Sequence, residues 1–475
     1  MRTLIQNAEI VTASDQFRGD LLFQDDKILS VGSNLGDSTR DQTINADGKY
    51  LLPGGLDVHC HLEMPFMGSV SKDDFTSGGK CAIAGGTTTV VDFCIPTKGG
   101  TLAQALEIWD AKSKPKAMCD YSYHMCIVDW NEGIRKELDM AFERGITSFK
   151  VFTAYKGALM ISDEEIFDLM LEVKKRGGLV TAHAVNGDVL NILAARFAAE
   201  GKLSPHYHPL CQPPVAEGEA TGRVLELGKM ADQPAYIVHM TCKEAVVELA
   251  RARKRGWESY GEVCAQHLML DADLYDLPDF EGAKYVMSPP LRKAHDREAL
   301  WGALANGIIQ VVGTDHCTFD FKGQKDMGKD DFRKIPNGLN GLQERMPVVW
   351  TYGVNQKRIS LQRLVETCCT NPAKMFGLYP TKGSLLPGSD ADLVLWDTKQ
   401  GYTISAKTHQ SACDTNVYEG TKVDVTAHTV WIRGNKVYEA GKFMVEPGFG
   451  QYQKRPAGRP MKVDYSSLGN QTVGV

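Results

Sequence analysis

The sequence predicts a (β/α)8 TIM-like barrel with a small β-sandwich domain built from both chain ends. Three observations carry this expectation. Between residues 54 and 382, eight apolar runs rich in β-branched residues alternate with helical stretches. Both ends of the chain read instead as short strands and tight turns. Histidine, lysine and aspartate recur at or near the ends of the apolar runs, the rim where barrels of this kind keep their chemistry.

Residues 1–53 form the first part of the small domain. L-I-Q-N-A-E-I-V-T-A alternates, a hairpin is expected around Asp25-Asp26, and a turn at Asp47-Gly48. That is too little for an independent sheet, so residues 383–446, again strands and turns, are expected to complete it. The barrel strands are expected at Gly55–His61, Thr87–Ile95, Asp120–Val128, Thr147–Phe152, Leu179–His183, Ala235–His239, Glu258–Cys264 and Ile308–Asp315. Helices are expected at Lys72–Ala84, Leu102–Lys112, Asn131–Arg144, Asp163–Arg176, Asp188–Ala199, Lys243–Lys254 and Ala294–Ala305, with capping signals at Thr101…Gln104, Ser162…Glu165 and Thr241…Glu244. A doubly wound open sheet is the competing architecture. No Gly-rich nucleotide turn follows a strand, however, and Gly85-Gly86 reads as a helix end. Residues 447–475 are Pro/Gly-rich and basic, and are expected to form an extended tail.

At 43% hydrophobic, the 475 residues can bury a sizeable core. A net charge of −6 and the lack of a basic block argue against nucleic acid as a partner. No apolar run approaches the roughly 20 residues of a membrane helix, and the first residues do not read as a signal peptide. Twelve cysteines without a C-x-x-C pair indicate thiols in a reducing compartment, so the expected location is cytoplasmic.

His59 and His61 lie about 7 Å apart on one face of a strand, at roughly 3.3 Å of rise per residue. Alone, H-x-H is a weak metal signal. His183, His239 and Asp315 at later strand ends, with Lys150 inside the apolar run T-S-F-K-V-F, turn it into a specific one. His316, beside Asp315, is expected to be structural.

These residues lie in motifs that resemble the amidohydrolase superfamily, and within it the dihydropyrimidinase or D-hydantoinase family, over nearly the whole chain. The motifs are G-L-D-V-H-C-H-L (55–62), A-G-G-T-T-T-V-V-D-F (84–93), S-F-K-V-F-T-A-Y (148–155), A-H-A-V-N-G (182–187), S-P-P-L-R (288–292), G-T-D-H (313–316), I-P-N-G-L-N-G (335–341) and G-S-D-A-D-L-V (388–394). The resemblance implies a binuclear centre, usually zinc. His59, His61 and Asp315 would hold the more buried ion, and His183 and His239 the more exposed one. Lys150, carbamylated by carbon dioxide to N6-carboxylysine, would bridge both. Asp315 would be the general base and Tyr155 an oxyanion donor, with Ser288 and Asn337 gripping the substrate ureide. The expected partner is a small cyclic ureide, and relatives' tails imply a homodimer or homotetramer.

The implied reaction is hydrolysis of dihydropyrimidines (dihydrouracil, dihydrothymine) and 5-substituted hydantoins to N-carbamoyl amino acids. Glu63, standing where dihydroorotases carry an arginine, is expected to disfavour a substrate carboxylate. Leu62, Met64, Pro65, Phe66, Phe152 and Leu159 are candidates for an apolar pocket. Allantoinase is the alternative enzyme. The collapsin response mediator proteins, scaffolds without an intact metal site, are the non-enzyme alternative, which the intact ligand positions oppose.

Overall fold

The computed structural model describes residues 1–36 and 40–458. Eight parallel strands form the barrel: β1 (Gly55–Cys60), β2 (Thr87–Cys94), β3 (Asp120–Cys126), β4 (Ser148–Phe152), β5 (Leu179–His183), β6 (Ala235–Ile237), β7 (Ser259–Cys264) and β8 (Val311–Gly313). They pair in sequential order from β1 to β8. Every residue in them is buried, which explains why they read as continuous apolar runs rather than alternating ones. The seam between β8 and β1 is closed by other means. The His61 N–H donates to the His316 carbonyl at 2.9 Å. Below it the fully buried Arg345 guanidinium donates to the carbonyls of Leu56 (2.7 Å) and Val312 (2.8 Å).

Seven expected helices are present within a few residues. Thr101 and Ser162 form complete capping boxes, and Gly85 follows the helix Ser77–Ala84 as its C-cap. Two readings need correction. Thr241 does not cap the helix Lys243–Lys254, because its backbone and hydroxyl both donate to Glu217. Glu217 lies on an 18-residue helix, Pro214–Ala231, that sequence reasoning missed. That helix packs into the ring between β5 and β6, burying Ala216, Ala220, Val224 and Leu225. The helix expected there at Asp188–Ala199 is observed at Gly187–Ala199 and is an outlying insertion that buries only its first residue.

The chain ends assemble as expected into one mixed sheet of nine strands. The hairpin turn at Asp25-Asp26 joins Gln16–Gln24 to Lys27–Gly32. Asp47 and Gly48 take positive φ between two short strands that pair in succession with Arg2–Val11. Ile5, Ile10, Leu21, Phe23, Leu393 and Trp431 fill the sheet's own core. The stretch 51–61 is therefore two strands. Tyr50–Pro53 belongs to the small sheet and β1 to the barrel, and Gly54 sits at the crossing. A Cβ there would lie 2.2 Å from Thr88 Oγ1, so only glycine fits.

The two units share a buried charge cluster. The Lys382 ammonium contacts Asp120 at the start of β3 (2.6 Å), together with Asp390 and Asp392 (2.9 Å each). The described part of the tail, 447–458, runs across the N-terminal face of its own barrel. Gln453 N–H donates to the Tyr121 carbonyl at 2.7 Å. Two residues on, the Arg455 side chain enters the barrel floor and donates to Ser122 Oγ (3.1 Å), Ser148 Oγ (2.8 Å) and the Tyr123 carbonyl. Residues 459–475, the rest of the expected tail, lie outside the described residues.

Removing the guanidinium takes a buried donor away from all three acceptors. Arg455→Met is expected to destabilise the protein by an amount on the order of 2–4 kcal/mol. Differential scanning fluorimetry should read this as a melting temperature lower by several degrees, with bound-metal content unchanged.

Candidate metal centre

The expected ligands converge at the C-terminal mouth of the barrel. His59 near the end of β1 and His61 just beyond it project the same way, their ring centroids 5.3 Å apart. Both Nε2 atoms face Asp315 Oδ1, at 3.2 and 3.0 Å. The Lys150 amine, from the middle of β4, lies 3.0 Å from His59 Nε2. His183 ends β5 and His239 follows β6 by two residues, with His183 Nδ1 and His239 Nε2 at 2.8 Å. His61, Lys150, His183, His239, Asp315, Tyr155, Ser288 and Asn337 all line one small cavity.

Three residues of the site carry backbone strain. Tyr155 (φ 64°), His239 (φ 40°) and Asp315 (φ 52°) all adopt left-handed conformations. Each such residue costs on the order of 1–3 kcal/mol and persists only where its surroundings over-determine it. Those surroundings are visible. Asp57 accepts from the His59 N–H (3.1 Å) and the Thr314 hydroxyl (2.6 Å). Asp92 accepts from the Leu62 N–H (2.8 Å) and Trp109 Nε1 (2.7 Å), fixing the chain beside His61.

Burial sets the protonation states. It pushes His61 down to about 4 and His183 to about 3, and holds His239 well below its ordinary value. Those imidazoles are neutral at pH 7, with lone pairs free to coordinate. His59 differs: burial and Lys150 press it down, yet Glu262 and Asp315 outweigh them and raise it. Burial also lowers Lys150, partly offset by Asp315. Asp315 stays ionised, because His59 and His61 overcome the effect of burial. Burial raises Tyr155 to about 12, so its phenol is a donor at neutral pH.

The donor set fits a divalent cation. The ligand atoms of His59, His61 and Asp315 lie within 4.8 Å of one another. His61, His183 and His239 each leave one buried ring nitrogen without a protein partner. Nitrogen and carboxylate donors grouped this way suit zinc and its neighbours.

One family model, the amidohydrolase family, matches residues 50–437. The D-hydantoinase of Geobacillus stearothermophilus is 46% identical over 456 residues, covering 96% of this chain and 97% of the relative. The dihydropyrimidinase of Rattus norvegicus is 40% identical over 461 residues, covering 96% and 89%. The crystal structure of dihydropyrimidinase from Brevibacillus agri NCHU1002 superposes with a TM-score of 0.95 at 46% identity, covering 96% of this chain and 99% of that one. The chain belongs to the amidohydrolase family. That family is metal-dependent, and these relatives mark this member as a hydrolase of cyclic amides.

Several residues around the family site differ from sequence-based expectation. Met64, Phe66, Phe152 and Leu159 line the cavity, joined by Ile95 and Cys317, but Leu62 and Pro65 do not. Leu62 packs under the helix at Gly78 and Pro65 is exposed. Glu63 also lies outside the lining and pairs with Lys116 at 2.8 Å, so its charge does not screen substrates. His316 is structural: its Nε2 meets Asp73 Oδ2 at 3.0 Å and its Nδ1 accepts from the Gly341 N–H at 3.1 Å.

Glu262, on β7, was missed altogether. One of its oxygens meets His59 Nδ1 at 2.5 Å and accepts the His239 N–H at 3.1 Å, while the other accepts the Tyr236 hydroxyl at 2.8 Å. An acidic residue inside the apolar run S-Y-G-E-V-C was the available signal. A carboxylate behind a histidine orients the ring and raises its basicity toward a metal. Glu262→Gln is therefore expected to weaken metal retention by about 10–100-fold. Competition with a chromogenic chelator, with circular dichroism as the check on folding, measures this directly.

Proposed function

We propose that this protein opens the ring of dihydropyrimidines and 5-substituted hydantoins, giving N-carbamoyl amino acids. His59, His61, Lys150, His183, His239 and Asp315 would hold two divalent ions, zinc the best match to the donors. The single observation behind this is that His61, His183, His239, Lys150 and Asp315 line one cavity with Tyr155, while His59 meets Lys150 and Asp315 from just behind the wall. When bound, the ions supply an activated water at neutral pH and polarise the scissile carbonyl.

The chain's own groups account for the rest. Burial keeps part of Lys150 as free amine. Its Nζ bonds to the carbon of carbon dioxide and releases one proton, leaving the anionic carbamate of N6-carboxylysine as a two-oxygen ligand. Asp315, ionised, accepts a proton from the attacking water and passes it to the departing ring nitrogen. Tyr155 donates its hydroxyl proton to the oxygen that gains charge. Ser288 Oγ is engaged with Gln212 Oε1 at 2.9 Å, which leaves its backbone, with that of Asn337, to hold the ureide.

The cavity favours a neutral ring. Its apolar wall (Met64, Phe66, Ile95, Phe152 and Leu159) suits a substituent, and Lys150 is its only lysine, with no arginine among the described lining residues to meet a carboxylate.

We assign catalysis to residues 54–382, framed by 1–53 and 383–446, with 447–475 as the tail. Homodimer or homotetramer assembly is supported by the helix Gly187–Ala199, where Ile192 stays 57% exposed. Twelve buried, unpaired cysteines favour the reducing cytoplasm. Among the described residues no helix is long and apolar enough to cross a membrane.

Two measurements test this reading. In a panel of dihydrouracil, hydantoin and allantoin, turnover of the first two is expected. Turnover of allantoin alone would establish the allantoinase alternative, and no turnover with no bound metal would favour a scaffold. Lys150→Ala should lose both metal and activity, with partial rescue by short carboxylic acids. Full activity in that variant would remove the bridging carbamate.

A further inference from the structure

Lys325 is a second buried lysine, 2% exposed, in a single turn at Lys325–Gly328 on the loops beyond β8. Among the described residues no carboxylate oxygen lies within 4.0 Å of its amine. Instead Nζ donates to two backbone carbonyls, Val286 at 2.8 Å and Pro336 at 3.1 Å. The two carbonyls belong to different loops, one after β7 and one after β8. Val286 lies two residues before Ser288, and Pro336 immediately precedes Asn337. The same Val286 carbonyl also accepts the Gly338 N–H at 3.1 Å. Gly338 in turn is pressed against the backbone after β8, since a Cβ there would stand 2.2 Å from the Cys317 carbonyl.

An apolar side chain at this buried position would avoid the desolvation cost of an amine. What lysine adds is a donor that reaches both loops at once. We propose that Lys325 is a positioning residue: it ties the Val286–Ser288 and Pro336–Asn337 segments into one rim and so sets affinity for the ureide portion of the ring. This rests on the function proposed above, in which the backbones at Ser288 and Asn337 hold that portion.

The test compares metal-loaded wild type with Lys325→Met, Lys325→Gln and Lys325→Arg, using dihydrouracil as substrate. For Lys325→Met, KM is expected to rise about tenfold or more while kcat stays within about threefold and metal content is unchanged. Lys325→Gln and Lys325→Arg keep a donor and should fall between Met and wild type. An unchanged KM in Lys325→Met, whether or not its melting temperature falls, overturns the proposal, because a purely structural lysine would shift stability alone. Should Lys325→Met fail to fold, the Gln and Arg variants decide by the same KM criterion. Failure of all three to fold also overturns it, since a loop tether would leave the barrel intact. A wild type that opens no cyclic ureide removes the functional reading itself, and that outcome is separate from any of these.

Discussion

The structure depends on keeping an amine dry. Lys150 stands in the barrel wall with its Nζ 4.0 Å from the Phe93 ring and 5.1 Å from that of Phe152, and with no carboxylate oxygen within 4.0 Å among the described residues. Ring faces offer about 0.5–2 kcal/mol to a cation, far less than the several kcal/mol that an ammonium loses on leaving water. Burial therefore shifts this lysine toward its free amine. The neutral imidazoles of His61, His183 and His239 follow from the same cause, because each added positive charge would raise the energy of the others; His59 departs from this through Glu262 and Asp315.

That dryness is built from both ends of the barrel. From below, Arg455 plugs the floor through Ser122 and Ser148, and Ser148 Oγ meets His124 Nδ1 at 2.5 Å. The His124 ring stacks on Phe93, with centroids 4.5 Å apart, and Phe93 underlies Lys150. A column of contacts thus runs from the tail to the metal ligands. From the side, Arg345 and the Asp57–Thr314 bond close the β8–β1 seam that backbone pairing leaves incomplete. The small domain adds no residue to the cavity lining. Its contribution is mechanical, through Lys382 and three aspartates anchored at the foot of β3.

Much of this was legible because barrel chemistry is written at strand ends. His59, His61, His183, His239 and Asp315 each close an apolar run, so a list of such positions amounts to a map of the rim. Lys150 stood out as a charge among phenylalanines. Residues acting one contact further out were harder to find. Glu262 is an ordinary strand residue until its neighbours across the barrel are known. Glu63 pointed to a neutral ring for a reason that does not hold, because its partner Lys116 is 53 residues away, and sequence shows a charge without showing what neutralises it. The helix Pro214–Ala231 went unread because two prolines open it, no side chain caps it and three glycines interrupt it. Its stability comes from packing against β6 and the next helix, which no local pattern reveals.

Two kinds of support meet in the cavity, and they constrain different things. The residues proposed as metal ligands sit on strands or within two residues of them, so their spacing is fixed by the sheet and cannot change without re-registering the barrel. The groups placed against the substrate sit on long loops after β7 and β8, whose shape depends on scattered buried polar contacts: Lys325 to two carbonyls, Gln212 to Ser288, and His208 Nε2 to the Met287 carbonyl at 2.6 Å. Ring preference can therefore change by altering those contacts while the hydrolytic centre stays intact. Under the proposed function, the choice among six-membered, five-membered and substituted rings falls to the loops, and the strands carry the hydrolytic centre.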